Sequence, residues 1–469
     1  MTPPAEPIPL RRARRMDPNA QEDLATFPAR RWPWGTILGV ITLLAGGVSY
    51  AAFLEQKSLR ADRVGLDVEA DDLHPALYDF QREGVRWALG VGRAAIFWDC
   101  GLGKTLAQVE WARHSADTAL IVAPLSVARQ TVREAELVGC EVRYVRSGFE
   151  VTGPGVWITN YEMVEQFDPA LFGAVVLDES SILKNVDGKT RTRLIDSFRA
   201  VPRRLACTAT PAPNDVAELT NHAAFLGVMT RAEMLAAYFV NDEKDWRLKG
   251  HAAGPMFRWM TTWAQALRRP SDLGFSDEGY ELPELSIVAQ PVDVDLTPDD
   301  QLFATDLGGI GGRAQVRRAT LDARVERAAE LADDGDQWIV WCGLNDEAEA
   351  LAEIPGAVNV PGSWSPDEKA EALEAFQDGQ IRVLVTKPSI AGFGMNFQNA
   401  HKMAFVGLSD SYESYYQSIR RCWRFGQTEP VEAHIVVSEL ELGIVENVRR
   451  KEREATRMTD ALIAQMVAA

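Results

Sequence analysis

Short apolar runs of strand length, set between stretches of helical pattern, constrain this chain more than any other feature. Five lie in the first half: AAIFW (94–98), ALIVA (119–123), VWIT (156–159), AVVLD (174–178) and RLACT (204–208). Four follow after a break: WIVWC (338–342), IRVLVT (381–386), KMAFVGL (402–408) and HIVV (434–437). Runs that are apolar on both faces suit parallel strands covered by helices on each side. The pattern therefore predicts an α/β chain with two doubly wound parallel sheets in tandem. Between the blocks, residues 226–290 are rich in Trp, Arg and Pro, show no strand alternation, and read as a mainly helical insertion. Residues 291–330 read as a connector. The expected domains are an N-terminal extension (1–54), a first lobe (55–225), insertion plus connector (226–330), a second lobe (331–440) and a C-terminal helix (441–469).

Composition narrows the function classes. A hydrophobic fraction of 46% with 25% charged residues excludes a mainly disordered chain, a collagen-like repeat and a polytopic membrane protein. The net charge of −18 argues against a histone-like polycation, yet leaves room for a locally basic groove. Five widely spaced cysteines without a C-x-x-C pair, and six histidines without ligand spacing, argue against a zinc ribbon, a disulfide framework and a structural metal. A reducing cytosol suits them best.

The chemistry begins where AAIFW ends. Asp99-Cys100-Gly101-Leu102-Gly103-Lys104-Thr105 follows a predicted strand and leads into the helical run LAQVEWA. Glycines let backbone N–H groups curl around phosphates, and the helix N-terminus adds a favourable field. Gly101, Leu102 and Gly103 would form the cradle, Lys104 would reach the β- and γ-phosphates, and the Thr105 hydroxyl would hold Mg²⁺. The strict eight-residue pattern fails, because Trp98 stands where it asks for its first glycine. An acidic pair should close such a site from the end of another buried strand, and Asp178-Glu179 after AVVL supplies it. Asp178 is expected on Mg²⁺, and Glu179 as the base that polarises the attacking water.

Together these segments resemble the superfamily-two helicases and, within them, the Swi/Snf-like DNA translocases. Further segments follow in that family's order. Leu77–Val85 is similar to its adenine-reading segment, with Gln81 as the base-recognising amide. Ala123–Val127 and Ile158–Glu162 resemble motifs Ia and Ib, which implies that Pro124, Ser126, Thr159 and Tyr161 meet the nucleic-acid backbone. Ser181–Asn185 and Thr208-Ala209-Thr210-Pro211, with Asn214 and Glu218-Leu219, continue the series. Ala391–Phe397 resembles motif V, placing Gly394 at the nucleotide and Asn396 on nucleic acid. Gln417–Gln427 resembles motif VI, with Arg421 and Arg424 as arginine fingers. The resemblance covers about residues 77–430.

What it implies is a pair of RecA-like lobes that hydrolyse ATP with Mg²⁺ and move on DNA, duplex or single-stranded. It also implies a monomer in the host-cell cytoplasm, closest to compact helicases of bacteriophages and prophages, with phage replication or recombination proteins as partners. The alternatives are a DEAD-type RNA helicase, whose motif VI usually ends unlike the Arg424-Phe425-Gly426-Gln427 seen here, and a degenerate or membrane-tethered clamp. Two departures stand out. Ser180-Ser181 replaces the usual Ala-His after the acidic pair, and Trp423 replaces the usual His of motif VI.

Two segments keep open readings. Trp246, Arg247, Lys249, Arg258, Trp259, Trp263, Arg268 and Arg269 interleave aromatics with cations, as a nucleic-acid surface does. The same residues read as a helical core with arginines beside it, since Trp259 and Trp263 are spaced for one helix face. Residues 34–54 carry no charge and follow Arg11, Arg12, Arg14, Arg15, Arg30 and Arg31. They read as a membrane anchor, as a packed helix, or as translated sequence ahead of a true start at Val48. An anchor would send the following lobes outside, away from cytoplasmic ATP.

Overall fold

The computed structural model describes residues 60–184, 188–242, 246–292, 316–391 and 396–468. The apolar segment 34–54 and the glycine-rich 307–313 lie outside them. Among the described residues no helix is long and apolar enough to cross a membrane.

The first lobe runs α1 (Asp79–Val91), β1 (Arg93–Trp98), α2 (Lys104–Ser115), β2 (Thr118–Ala123), α3 (Leu125–Ala135), β3 (Val142–Tyr144), β4 (Gly155–Asn160), β5 (Ala174–Asp178), α4 (Lys189–Ser197), β6 (Arg203–Cys207) and α5 (Leu219–Leu226). After it come α6 (Arg231–Tyr238), β7 (Phe239–Asn241), β8 (Trp246–Leu248), α7 (Ala253–Met260), β9 (Ala264–Leu267) and β10 (Leu285–Val292). The second lobe continues with α8 (Leu321–Leu331), β11 (Trp338–Cys342), α9 (Asn345–Leu351), β12 (Ala357–Val360), α10 (Pro366–Gln377), β13 (Val383–Thr386), α11 (Pro388–Ala391), β14 (Lys402–Val406), α12 (Tyr412–Ile419), β15 (Val431–Ser438) and α13 (Leu442–Val467).

Two parallel sheets result, as the apolar runs predict. One has the order β3-β4-β2-β5-β6-β1-β9, the other β10-β15-β14-β11-β13-β12. All nine predicted runs are strands of these sheets. Register decides what meets at the sheet edge. Cys207 pairs with both Asp178 and Ile96, so the carboxyl ends of β5, β6 and β1 lie side by side. Loops leaving those ends share one crevice, the usual ligand position in a doubly wound sheet.

The stretch 226–290 is helical at α6 and α7, but it is no separate insertion. β7 and β8 form an antiparallel hairpin, β9 lengthens the first sheet beside β1, and β10 lengthens the second beside β15. The first sheet therefore extends beyond residue 225, and the second begins before residue 331. The reason lies in composition and length. Ala264-Gln265-Ala266-Leu267 is too short and too poor in β-branched residues to announce a strand, while β10 is an edge strand with a half-exposed face.

Apolar residues cover both faces of the second sheet, whereas the first lobe has one continuous core. Trp259 and Trp263 lie in that core with rings 5.4 Å apart, so the packing reading holds for both. Helix α13 ties the lobes together. Its Ile444, Val445 and Val448 enter the second lobe's core, and Met458 and Leu462 enter the first lobe's. At about 1.5 Å per residue it spans about 39 Å, enough to cross both.

Candidate functional site

The glycine loop between β1 and α2 is held from three sides. Gly101 (φ +88°) and Gly103 (φ +75°) both adopt the left-handed conformation that glycine tolerates best, and Gly103 is the residue on which α2 begins. Lys104 and Thr105 thus open the helix, where its dipole favours an anion. The Lys104 Nζ donates to the carbonyls of Trp98 (2.9 Å) and Asp99 (3.2 Å), curled over the loop. Gln81 is buried beneath it: its Nε2 donates to the Leu102 carbonyl (2.9 Å), and its Oε1 accepts from the Tyr78 N–H (3.0 Å). A Cβ at Gly103 would lie 2.2 Å from that Nε2, so the loop and the amide are shaped to each other.

At the end of β5, Asp178 Oδ1 accepts from the Glu179 N–H (3.1 Å), and the Tyr161 hydroxyl donates to the Asp178 carbonyl. Glu179 has φ +51°, alone among described residues other than glycine in having a positive φ. Burial raises the Asp178 carboxyl above its ordinary range. Burial, and then the neighbouring Asp178 charge, push Glu179 up to about 7. Lys104 from the loop and Arg421 from the second lobe pull Glu179 the other way, which puts both cations within electrostatic reach of it. The Thr208 hydroxyl approaches Glu179 Oε2 at 3.5 Å and accepts from the Thr210 N–H at 3.0 Å.

The second lobe presents α12 and the turn after it to the same crevice. Arg421 is buried and donates from Nη2 to Gln417 Oε1 (2.9 Å), and burial lowers its pKa to about 10. Arg424 adds a second positive charge that Arg421 feels. Phe425 packs directly on the loop, 3.2 Å from where a Cβ on Gly101 would stand. Five polar side chains join the lobes here. Arg420 forms an ion pair with Asp99, the Tyr416 hydroxyl donates to the same carboxylate, and Lys184 pairs with Glu413. Trp423, which departs from the resembled family, lies under Arg420 at 4.3 Å from ring centroid to guanidinium carbon, and its indole N–H donates to the Pro283 carbonyl (2.8 Å). The tryptophan thus serves as a platform for the arginine that reaches Asp99 of the glycine loop.

Asp99 and Arg420 were not legible as functional residues, because 321 positions separate them. The repeated Arg420-Arg421 was their one sequence signal. Removing Asp99 leaves the Arg420 guanidinium buried without its anion, at a cost of about 3–5 kcal/mol to the closed arrangement. Asp99→Ala is therefore expected to separate the lobes in the absence of nucleotide, read as lower energy transfer between dyes on the two lobes. Unaltered transfer would count against the pair as an interlobe contact.

Other expected site residues fall in differing places. Pro124 precedes α3 and Ser126 is exposed in its first turn, while Asn396 is half-buried with its Nδ2 donating to Gln398 Oε1 (3.0 Å). Gly394 lies outside the described residues. Thr159 and Tyr161 need correction. They are 0% and 5% exposed, so neither presents a side chain to a polymer, and Tyr161 instead buttresses Asp178. Thr159 lies in β4 and Tyr161 in the 3-10 turn that follows it, both covered by the first lobe's core, which a local motif does not reveal. In the 246–269 segment, Arg268 pairs with Asp460 (2.6 Å) and Arg258 donates to Gln465 (3.3 Å), so these cations bind α13.

Two parallel-sheet lobes that meet over a glycine loop, an acidic pair and an arginine-bearing turn define a two-lobe α/β architecture with one shared crevice. Residues 323–426 match the family described as helicase conserved C-terminal domain. The chain is 23% identical over 411 residues to the SWI/SNF-related matrix-associated actin-dependent regulator of chromatin subfamily A-like protein 1 of Drosophila melanogaster, covering 77% of this chain and 52% of that protein. The Xenopus tropicalis protein of that name is 28% identical over 401 residues, 77% of this chain and 42% of the relative. Human ATP-dependent DNA helicase Q4 is 30% identical over 119 residues, 21% of this chain and 10% of that protein. The chain thus spans about half the length of these relatives, or less. Among solved structures, the Sulfolobus solfataricus SWI2/SNF2 ATPase core in complex with dsDNA is similar with a TM-score of 0.42 and 17% identity, over 84% of this chain and 96% of that one.

Proposed function

We propose that the protein is an ATP-dependent DNA translocase or helicase of the Swi/Snf-like type, which hydrolyses ATP and couples lobe closure to movement on DNA. The observation that carries this reading is geometric: the arginine-bearing turn of the second lobe closes on the glycine loop of the first, with Phe425 against Gly101 and Arg420 paired with Asp99. Lys104 and the loop 101–103 hold the triphosphate, with Gln81 bracing the loop. Thr105 and Asp178 would hold Mg²⁺, which would supply neutralisation of the phosphate charge. Glu179 takes a proton from the attacking water, and Arg421 and Arg424 stabilise charge on the transferring phosphoryl group. ATP favours the closed lobes by contacting both, and its hydrolysis removes that preference. Alternating grip through Pro124, Ser126 and the segment at Asn396 then advances one lobe past the other. The resemblance to compact phage-type helicases supports a role in phage DNA metabolism.

Steady-state ATP hydrolysis, alone and with duplex DNA, single-stranded DNA or RNA, tests this reading. DNA is expected to stimulate turnover, and Lys104→Ala to lower kcat by about 10²-fold or more, since a preorganised charge on the phosphates is lost. Stimulation by RNA alone reassigns the polymer, and unchanged turnover in Lys104→Ala refutes the site.

A further inference from the structure

His222 is fully buried on α5, and nothing in the proposed chemistry uses it. Its Nε2 lies 3.1 Å from the hydroxyl of Ser180, which is equally buried and directly follows Glu179. The imidazole also packs edge-on against Phe97 of β1, with centroids 5.2 Å apart and planes at 83°, so its orientation is fixed by the strand that feeds the phosphate loop. Burial holds its pKa down to about 4, which leaves the ring neutral and able to share one proton with the hydroxyl.

The turn that His222 touches needs external support. Glu179 adopts a left-handed backbone without being glycine, a conformation that persists only where surrounding contacts hold it. On its first side the turn is tied by the Tyr161 hydroxyl to the Asp178 carbonyl. Its second side is gripped from α5: His222 holds Ser180, and the adjacent Asn221 donates from Nδ2 to the Leu183 carbonyl (2.8 Å). Helix α5 follows the loop whose Thr208 hydroxyl reaches the Glu179 carboxylate. One helix and its preceding loop therefore contact both the backbone and the side chain that aim this carboxylate.

We infer that His222 is a positioning residue: through the Ser180 hydroxyl it holds the strained turn that directs Glu179 into the crevice, and it links that turn to the 208–226 segment. The inference rests on Glu179 acting as the base proposed above. Ser180→Ala removes the hydroxyl with little change in volume, His222→Phe keeps a ring against Phe97, and His222→Gln returns an amide that can pair with Ser180.

Steady-state ATP kinetics with duplex DNA give the first readout. Ser180→Ala and His222→Phe are expected to lower kcat about 10- to 100-fold, because a small misplacement of a reacting group costs that much. KM for ATP should stay within about twofold, since the loop that binds ATP is untouched. His222→Gln should recover most of the rate. Amide hydrogen exchange over residues 179–182 gives the second readout, independent of turnover. It should quicken in Ser180→Ala while β5 stays protected.

Unchanged kcat in both folded variants, a rise in KM alone, or a Gln variant no better than Phe would each overturn the inference. A wild-type protein without ATPase activity would instead sink the reading of Glu179. The exchange comparison would then still decide the matter, with equal exchange in wild type and Ser180→Ala removing the positioning role.

Discussion

Glu179→Gln is expected to bind ATP and Mg²⁺ normally while kcat falls about 10²- to 10⁴-fold, the range lost when a general base is removed. The substitution keeps the shape and the contact with Thr208, so a failure of turnover isolates the proton acceptor. The wild type should carry a signature of the same group. Burial and Asp178 raise the Glu179 pKa to about 7, and only the deprotonated carboxylate accepts a proton. The value of kcat/KM should therefore fall as pH drops through about 7 and level off above it, and Glu179→Gln should lose this acidic limb. Rapid-quench measurement of one turnover, beside binding of a fluorescent ATP analogue, distinguishes lost chemistry from lost binding. A Gln variant that turns over at the wild-type rate would remove Glu179 from the mechanism.

Arg421→Ala should be comparably severe. The guanidinium comes from the second lobe and is felt at Glu179 of the first, the geometry of an arginine that completes a site only on closure. Arginine fingers contribute about 10³- to 10⁵-fold in kcat where their effect is known, so a loss of that order is expected in DNA-stimulated turnover. Arg421→Lys should rescue little, because a point charge cannot reproduce the planar fork that Gln417 orients. The control is binding: KM for ATP should move far less than kcat. Equal loss of both would assign Arg421 to ground-state binding, and no loss would leave Arg424 as the remaining candidate.

These expectations differ in how far the sequence supports them. The loop at 101–105 is legible because its chemistry is local, with glycines at left-handed positions between a buried strand and a helix start. Asp178-Glu179 is legible for a similar reason, as an acidic pair at the end of an all-buried strand. Gln81 was legible as a member of the site, but the structure ties its amide to the Leu102 carbonyl. Thr159 and Tyr161 are less legible, because the motif that carries them says nothing of what covers β4 and the turn after it. The strands β9 and β10 are not legible in the sequence, because each is stabilised as the added edge of a sheet built elsewhere in the chain.

By itself the sequence determined the two parallel sheets, the glycine loop and the acidic pair, since strand burial, turn conformation and helix starts are written within a few neighbouring residues. Only the tertiary structure decided that Asp99 meets Arg420 and Tyr416, that the Trp423 indole reaches the Pro283 carbonyl, that Ser180 is held by His222, and that α13 binds both lobes. Those contacts join residues tens to hundreds of positions apart. Their partners are selected by which strands are neighbours and how two lobes pack, and no local pattern carries that choice.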